Sequence, residues 1–184
     1  MPESPRLQRA DARLARDSIL TAAVTVLGSG PMGSLERVAQ VAGVHRATVY
    51  RHFPSRDELI AAVVERALSD GRSVVDRAAA LHPDESAVRH LAADAMQFGS
   101  RYFFLIGTPE LVSVGPDPIG LSELMRTWQE HRLLRDDVSH DWLAAAFVAL
   151  AQAMLAPNLI GSLDHAQDTL ASMFLRGGAS PGAQ

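Results

Sequence analysis

The segment Leu35–Phe53, LERVAQVAGVHRATVYRHF, leaves few folds open to this chain. Val38, Ala39 and Ala42 recur at helical spacing and give a first helix one apolar face. Gly43 stands where that helix has to stop, because glycine enters left-handed backbone without the steric cost a Cβ imposes. Val44 fills the turn, and a second short helix is predicted from about Arg46 to His52. Val49 and Phe53 are its apolar residues, while Arg46, Thr48, Tyr50, Arg51 and His52 carry donors. A recognition helix needs this division, with one side to dock on its own domain and the other to meet phosphates and base edges. The pattern is a helix-turn-helix and points to DNA.

Charge is distributed accordingly. The 184 residues carry a net charge of −4, which by itself argues against nucleic acid. From Met1 to Arg56, however, eight arginines face four acids, a surplus of +4, and from Asp57 onward nine arginines face seventeen acids, giving −8. An amino-terminal module facing DNA, carried on an acidic body, produces this asymmetry. Every Lys/Arg-type cation is arginine.

Hydrophobic residues make up 47% of the chain, enough for a packed interior. With no cysteine there is no disulfide framework, thiolate nucleophile or thiolate metal site. No apolar run approaches the roughly 20 residues that span a bilayer, and MPESPRLQRADARLARD has no apolar signal-peptide core. The expectation is a soluble cytoplasmic protein without a membrane partner.

The fold class expected is all-α, with an amino-terminal three-helix helix-turn-helix domain joined to a helical carboxy-terminal domain. Residues 1–10 read as a flexible arm and 11–56 as the helix-turn-helix domain. A linking helix runs from 56 to about 80, a second domain covers 81–177, and 178–184 form a disordered tail. The first helix is predicted over 11–27, where Ala15, Ile19, Ala22, Ala23 and Val26 form one stripe, and GSGPMG ends it. Ser34 is a candidate N-cap, and Ser55 with Glu58 forms an S-x-x-E capping box for the linking helix. Gly71 is a place where that helix could bend. Further helices are predicted from about Glu85 to Ile106, briefly at 109–113, over 118–134, over 141–156 with Pro157 as its stop, and over 162–176.

The motif LERVAQVAGVHRATVYRHFPSRDEL, set in an otherwise helical chain, resembles transcriptional regulators of the tetracycline-repressor (TetR) family. The likeness is specific over roughly 19–64 and only architectural beyond Ser69. It implies a homodimer that binds an inverted-repeat operator in double-stranded DNA and is released when a small-molecule effector enters the carboxy-terminal domain. Carried over residue by residue, it implies that His45, Arg46 and Ala47 face bases, with Thr48 beside the backbone. Arg46 is then the candidate for bidentate contact with guanine, a pairing typically worth ~1–3 kcal/mol of discrimination. Tyr50 and His52 would bond phosphates and Ser34 would donate from the preceding helix, while Arg51 reaches either phosphate or solvent. Relatives usually carry serine or threonine where His45 stands, so the cap of this recognition helix departs from the pattern.

The second part concentrates bulky side chains, and an apolar cleft between helices is a common ligand site. Candidates for contact with a small apolar or aromatic effector are Met96, Phe103, Phe104, Met125, Trp128 and Phe147, with Arg101, Gln129 and His131 as polar groups. The same residues also suit plain core. Ala145, Ala149 and Ala153 form a small-residue stripe, and Leu163, Ala166, Leu170, Met173 and Phe174 form an apolar face on the last helix. Together they suggest a four-helix dimer interface, unless both faces bury inside one chain. No HExxH, Walker loop or G-x-S-x-G is present, so an enzyme is not expected, nor is a cofactor. His131, Asp136, Asp137, His140 and Asp141 fit no metal-ligand spacing, and no metal is expected. The rival reading is a helix-turn-helix regulator without a small-molecule effector, controlled by a protein partner or by abundance.

Overall fold

The structure, a computed structural model, describes residues 5–30, 34–156 and 162–179, with side chains from Asp11 onward. Pro157, the PMG of the first turn and residues 180–184 of the tail lie outside them. Among the described residues the elements are helices: α1 (Pro5–Gly28), α2 (Leu35–Ala42), α3 (Arg46–His52), α4 (Arg56–Ala79), α5 (Glu85–Tyr102), α6 (Pro109–Val112), α7 (Leu121–Glu130), α8 (His140–Leu155) and α9 (Leu163–Gly178). A 3₁₀ turn over Phe103–Leu105 follows α5. The all-α expectation holds. Two compact units result, one of residues up to Arg66 with Phe104–Ser113, the other of Ala67–Phe103 with the residues from Val114 on. The division falls inside α4 and gives 104–113 to the first unit, whereas the sequence expectation assigns 81–177 to the second domain.

Side-chain caps explain most helix starts. Ser34, Asp84, Thr108, Ser139 and Ser162 each accept a backbone N–H of the first turn of α2, α5, α6, α8 and α9, offsetting the donors a helix start leaves unpaired. Ser55 Oγ accepts from the amide of Glu58 at 3.2 Å, as the capping box requires. α1 starts earlier than expected, so residues 5–10, read as an arm, continue the helix. α4 runs unbroken through Gly71. A Cβ there would lie 3.0 Å from Ile119 Cγ2, so this glycine permits close packing rather than a bend.

The first unit buries Ile19, Ala22, Ala23 and Val26 of α1, Val38 and Ala39 of α2, Val49 of α3, and Phe53, Leu59 and Val63. In the second unit α9 packs on α5, with α8 against both and α7 against α8. Its core includes Leu91, Met96, Met125, Trp128, Leu143, Phe147, Leu170 and Phe174, and Phe147 meets Phe174 edge to face at 5.1 Å. α7 ends at Glu130, short of the predicted Leu134. Arg132 turns into left-handed backbone at φ 60°, and the amides of Leu133 and Leu134 return to the carbonyl of Trp128 at 2.9 and 3.3 Å.

The expected dimer residues of α9 divide. Ala166, Leu170 and Phe174 are buried inside the second unit, whereas Leu163 and Met173 are exposed. Ala166, Leu170 and Phe174 are therefore covered by the chain's own helices, which corrects their assignment to a partner interface. Leu170→Ala is expected to cost about 2–5 kcal/mol, the range for emptying a fully buried leucine site. Met173→Ala, on the exposed side, should cost far less. Denaturant unfolding of both variants checks the difference.

Candidate nucleic-acid interface

α3 is seven residues long, too short to be stable alone in water, so its position depends on how it is held. At its amino side Gly43 takes φ 67° and ψ 28°, the left-handed conformation that ends α2. Its amide bonds to Gln40 O at 3.2 Å and that of Val44 to Ala39 O at 3.1 Å, closing α2 as a Schellman-type turn. On its inner side Val49 and Phe53 are buried. Arg16 of α1 lies over the Phe53 ring, 5.2 Å from its centroid, and Ser18 Oγ donates to Ala42 O at 3.3 Å.

The outer side carries the predicted contacts together. His45, Arg46, Ala47 and Arg51 are exposed, and Thr48, Tyr50 and His52 are half-buried. His45 takes the N-cap position in extended backbone without a side-chain cap bond, the weakness expected from a histidine there. Ser34 is exposed at the start of α2, its Oγ accepting from the Arg37 amide at 3.2 Å.

Arg46 is not free in this structure. Its Nη2 lies 2.7 Å from Glu36 Oε1 and donates to the Tyr50 hydroxyl at 3.2 Å, while its guanidinium carbon sits 5.1 Å from the Tyr50 ring centroid. The Glu36 carboxyl is held below the usual carboxylate range by its own backbone amide first, then by the Ser34 hydroxyl, with Arg46 and Tyr50 adding to the effect. The Arg46 guanidinium is correspondingly raised by Tyr50 and Glu36. The Glu36 partner of Arg46 is not among the residues that the sequence singles out. It lies ten positions from Arg46, beyond the turn, where no local spacing links the two.

His52 is more constrained than a surface phosphate contact. Its Nε2 is enclosed and has no hydrogen-bond partner. Burial pushes the imidazole below its ordinary value, and the positive charges of Arg51 and Arg16 push it the same way.

The residues proposed for an effector do not converge. Met96, Met125, Trp128 and Phe147 meet in the core of the second unit. Arg101, Phe103 and His131 are exposed, and Phe104 belongs to the first unit. Gln129 Nε2 donates to the carbonyls of Arg135 and Val138 at 2.7 and 2.8 Å, pinning the loop before α8, and His131 Nδ1 lies 2.8 Å from Thr127 O. These two polar groups serve the loop and the end of α7. In the same loop Arg135 Nε donates to Asp137 Oδ1 at 2.6 Å. Among the described residues no group of three or more His, Asp or Glu could hold a metal ion. No helix among them is long and apolar enough to cross a membrane.

Residues 19–63 match the family model for bacterial regulatory proteins of the tetR family. Over 158 residues the chain is 27% identical to the HTH-type transcriptional repressor LfrR of Mycolicibacterium smegmatis, covering 82% of each. Among solved structures, the TetR transcriptional regulator SCO0520 of Streptomyces coelicolor aligns at a TM-score of 0.66 with 26% identity, over 91% of this chain and 99% of that one. LfrR from Mycobacterium smegmatis in complex with proflavine aligns at 0.71 with 24% identity, over 90% and 96%.

At His52, protonation works against folding. An unfolded chain takes up a proton near pH 6.5, which the folded chain refuses until a lower pH. The His52 contribution is therefore neutral above about 6.5 and destabilises progressively as pH falls below it, down to the folded value. Thermal melts at pH 7.5 and 5.5 should show a smaller acid-induced drop for His52→Gln than for the parent chain. An equal drop in both contradicts the assignment.

Proposed function

Since the chain belongs to the tetR family of bacterial regulatory proteins, we propose that it is a cytoplasmic, homodimeric repressor that binds an inverted-repeat operator and leaves it when a small apolar or aromatic molecule binds the second unit. The observation that carries the DNA reading is the presentation of Arg46, Tyr50 and Arg51 on the outer side of a helix whose Val49 is fully buried. One short helix reads too few bases, and two of them related by a dyad match half-sites about 34–36 Å apart or a multiple of that. The surface that would bring two copies together is the outer face of α8, where Ala145, Ala149 and Ala153 are exposed beside Trp142, itself 58% exposed. Met173 and Leu163 of α9 extend the exposed apolar surface.

For release, the proposed element is α4, whose residues to Arg66 belong to the first unit and whose remainder belongs to the second. A ligand that prefers the arrangement unfit for DNA shifts the population toward it through that helix. The proflavine complex of LfrR supports a planar aromatic compound as the first class to try. A second reading, a regulator without a small-molecule effector, draws support from the packing of Met96, Met125 and Trp128, each at most 1% exposed.

Two experiments test these readings. In gel shifts with competitor heparin, Arg46→Ala should relax base preference at one position per half-site by a factor equivalent to ~1–3 kcal/mol, whereas His52→Ala should weaken binding to all duplexes alike. If both variants bind like the parent, α3 is not the reading element. In thermal-shift titrations, proflavine as the first probe should raise the melting temperature with concentration and release a bound duplex. A screen of planar aromatic compounds that produces neither effect favours the second reading.

A further inference from the structure

Arg46, the side chain assigned to guanine, is already engaged when the chain is alone. A guanidinium offers five N–H groups in a fixed fork, and its two bidentate edges, Nε with Nη2 and Nη1 with Nη2, share Nη2. That nitrogen carries two hydrogens, and it faces both Glu36 Oε1 at 2.7 Å and the Tyr50 hydroxyl at 3.2 Å. Neither edge is complete in this arrangement. To meet O6 and N7 of guanine, Arg46 has to give up Glu36, Tyr50 or both.

We propose that Glu36 is an internal competitor for Arg46, one that lowers operator affinity and softens the penalty for a base other than guanine. The proposal rests on the DNA reading of α3 and adds a residue that sets its stringency. Opposite guanine, Arg46 exchanges one charge-assisted bond for a bidentate pair and leaves an exposed carboxylate behind, so part of the gain is lost. Opposite another base, Arg46 falls back on Glu36 and is not left as an unpaired cation, so the mismatch costs less than an unsatisfied donor would. Glu36 acts in both cases through the contact, and its negative charge near DNA adds only a uniform repulsion.

The contact and the charge separate in a double-mutant cycle. A duplex selected from a random pool by the parent chain is compared with the same duplex changed at the guanine whose preference Arg46→Ala abolishes. Glu36→Gln is expected to tighten binding to the selected duplex by about 3- to 10-fold more than to the changed one. In the Arg46→Ala background that difference should vanish and leave an equal gain on both duplexes. Glu36→Asp, which keeps the charge on a shorter stem, should reproduce the sign of Glu36→Gln with Arg46 present. An equal gain on both duplexes with Arg46 present, or weaker binding of the selected duplex by Glu36→Gln, overturns the competitor role. The first outcome makes Glu36 a bulk charge and the second makes it a positioning residue. If the parent chain selects no duplex, the DNA reading itself fails and the competitor falls with it.

Discussion

A helix of seven residues has no independent stability, so the site depends on the anchoring of α3 through Val49 and Phe53. Val49 is fully buried and Phe53 is 2% exposed, and burying such side chains stabilises by roughly 1.5–3 kcal/mol each. Left-handed backbone at Gly43 lets α2 stop and the chain turn into α3, a conformation that costs about 1–2 kcal/mol for a residue with a Cβ. Docking fixes the outer face of α3, and that face carries most of the donors assigned to DNA, with Ser34 supplied by the start of α2. His52 sits at the edge of this division. Its ring is half-buried and enclosed at Nε2, so packing and any outward contact draw on the same side chain.

The electrostatics of the first unit belong to a cluster and not to separate side chains. Glu36, Arg46 and Tyr50 hold one another, with the carboxyl kept ionised and the guanidinium stacked on the phenol ring. All three are accessible to solvent, so the pairs contribute little to stability. Their significance lies in which donors are committed before DNA arrives. In the proposed competition, a recognition arginine that starts paired loses part of its gain at guanine and keeps its partner at other bases, so the pairing narrows the difference between them.

Much of this was legible in the sequence because it is local. The glycine stop, the serine caps at 34 and 55, and the span of α3 follow from short-range chemistry, and the structure reproduces them. The end of α7 was not legible. Leu133 and Leu134 extend its apolar spacing, yet the turn at Arg132 carries them back beneath Trp128. On α9, an amphipathic face cannot tell whether its cover comes from the same chain or from a partner, and Ala166, Leu170 and Phe174 turned out to be covered at home. Arg101, Gln129 and His131 looked like pocket groups because they are polar residues among aromatics. Their positions depend on loop hydrogen bonds and ion pairs set by tertiary structure. Glu36 was missed for the same reason, since its partner lies across the turn.

The proposed function requires α3 to present a reading surface for duplex DNA. Selection of bound fragments from a random duplex pool, with heparin as competitor at moderate ionic strength, measures this. An inverted repeat whose half-site centres lie one helical turn, or a multiple of one, apart is expected to be enriched. Recovery of a pool with no enriched sequence, or complete displacement of all duplexes by heparin, would contradict that reading.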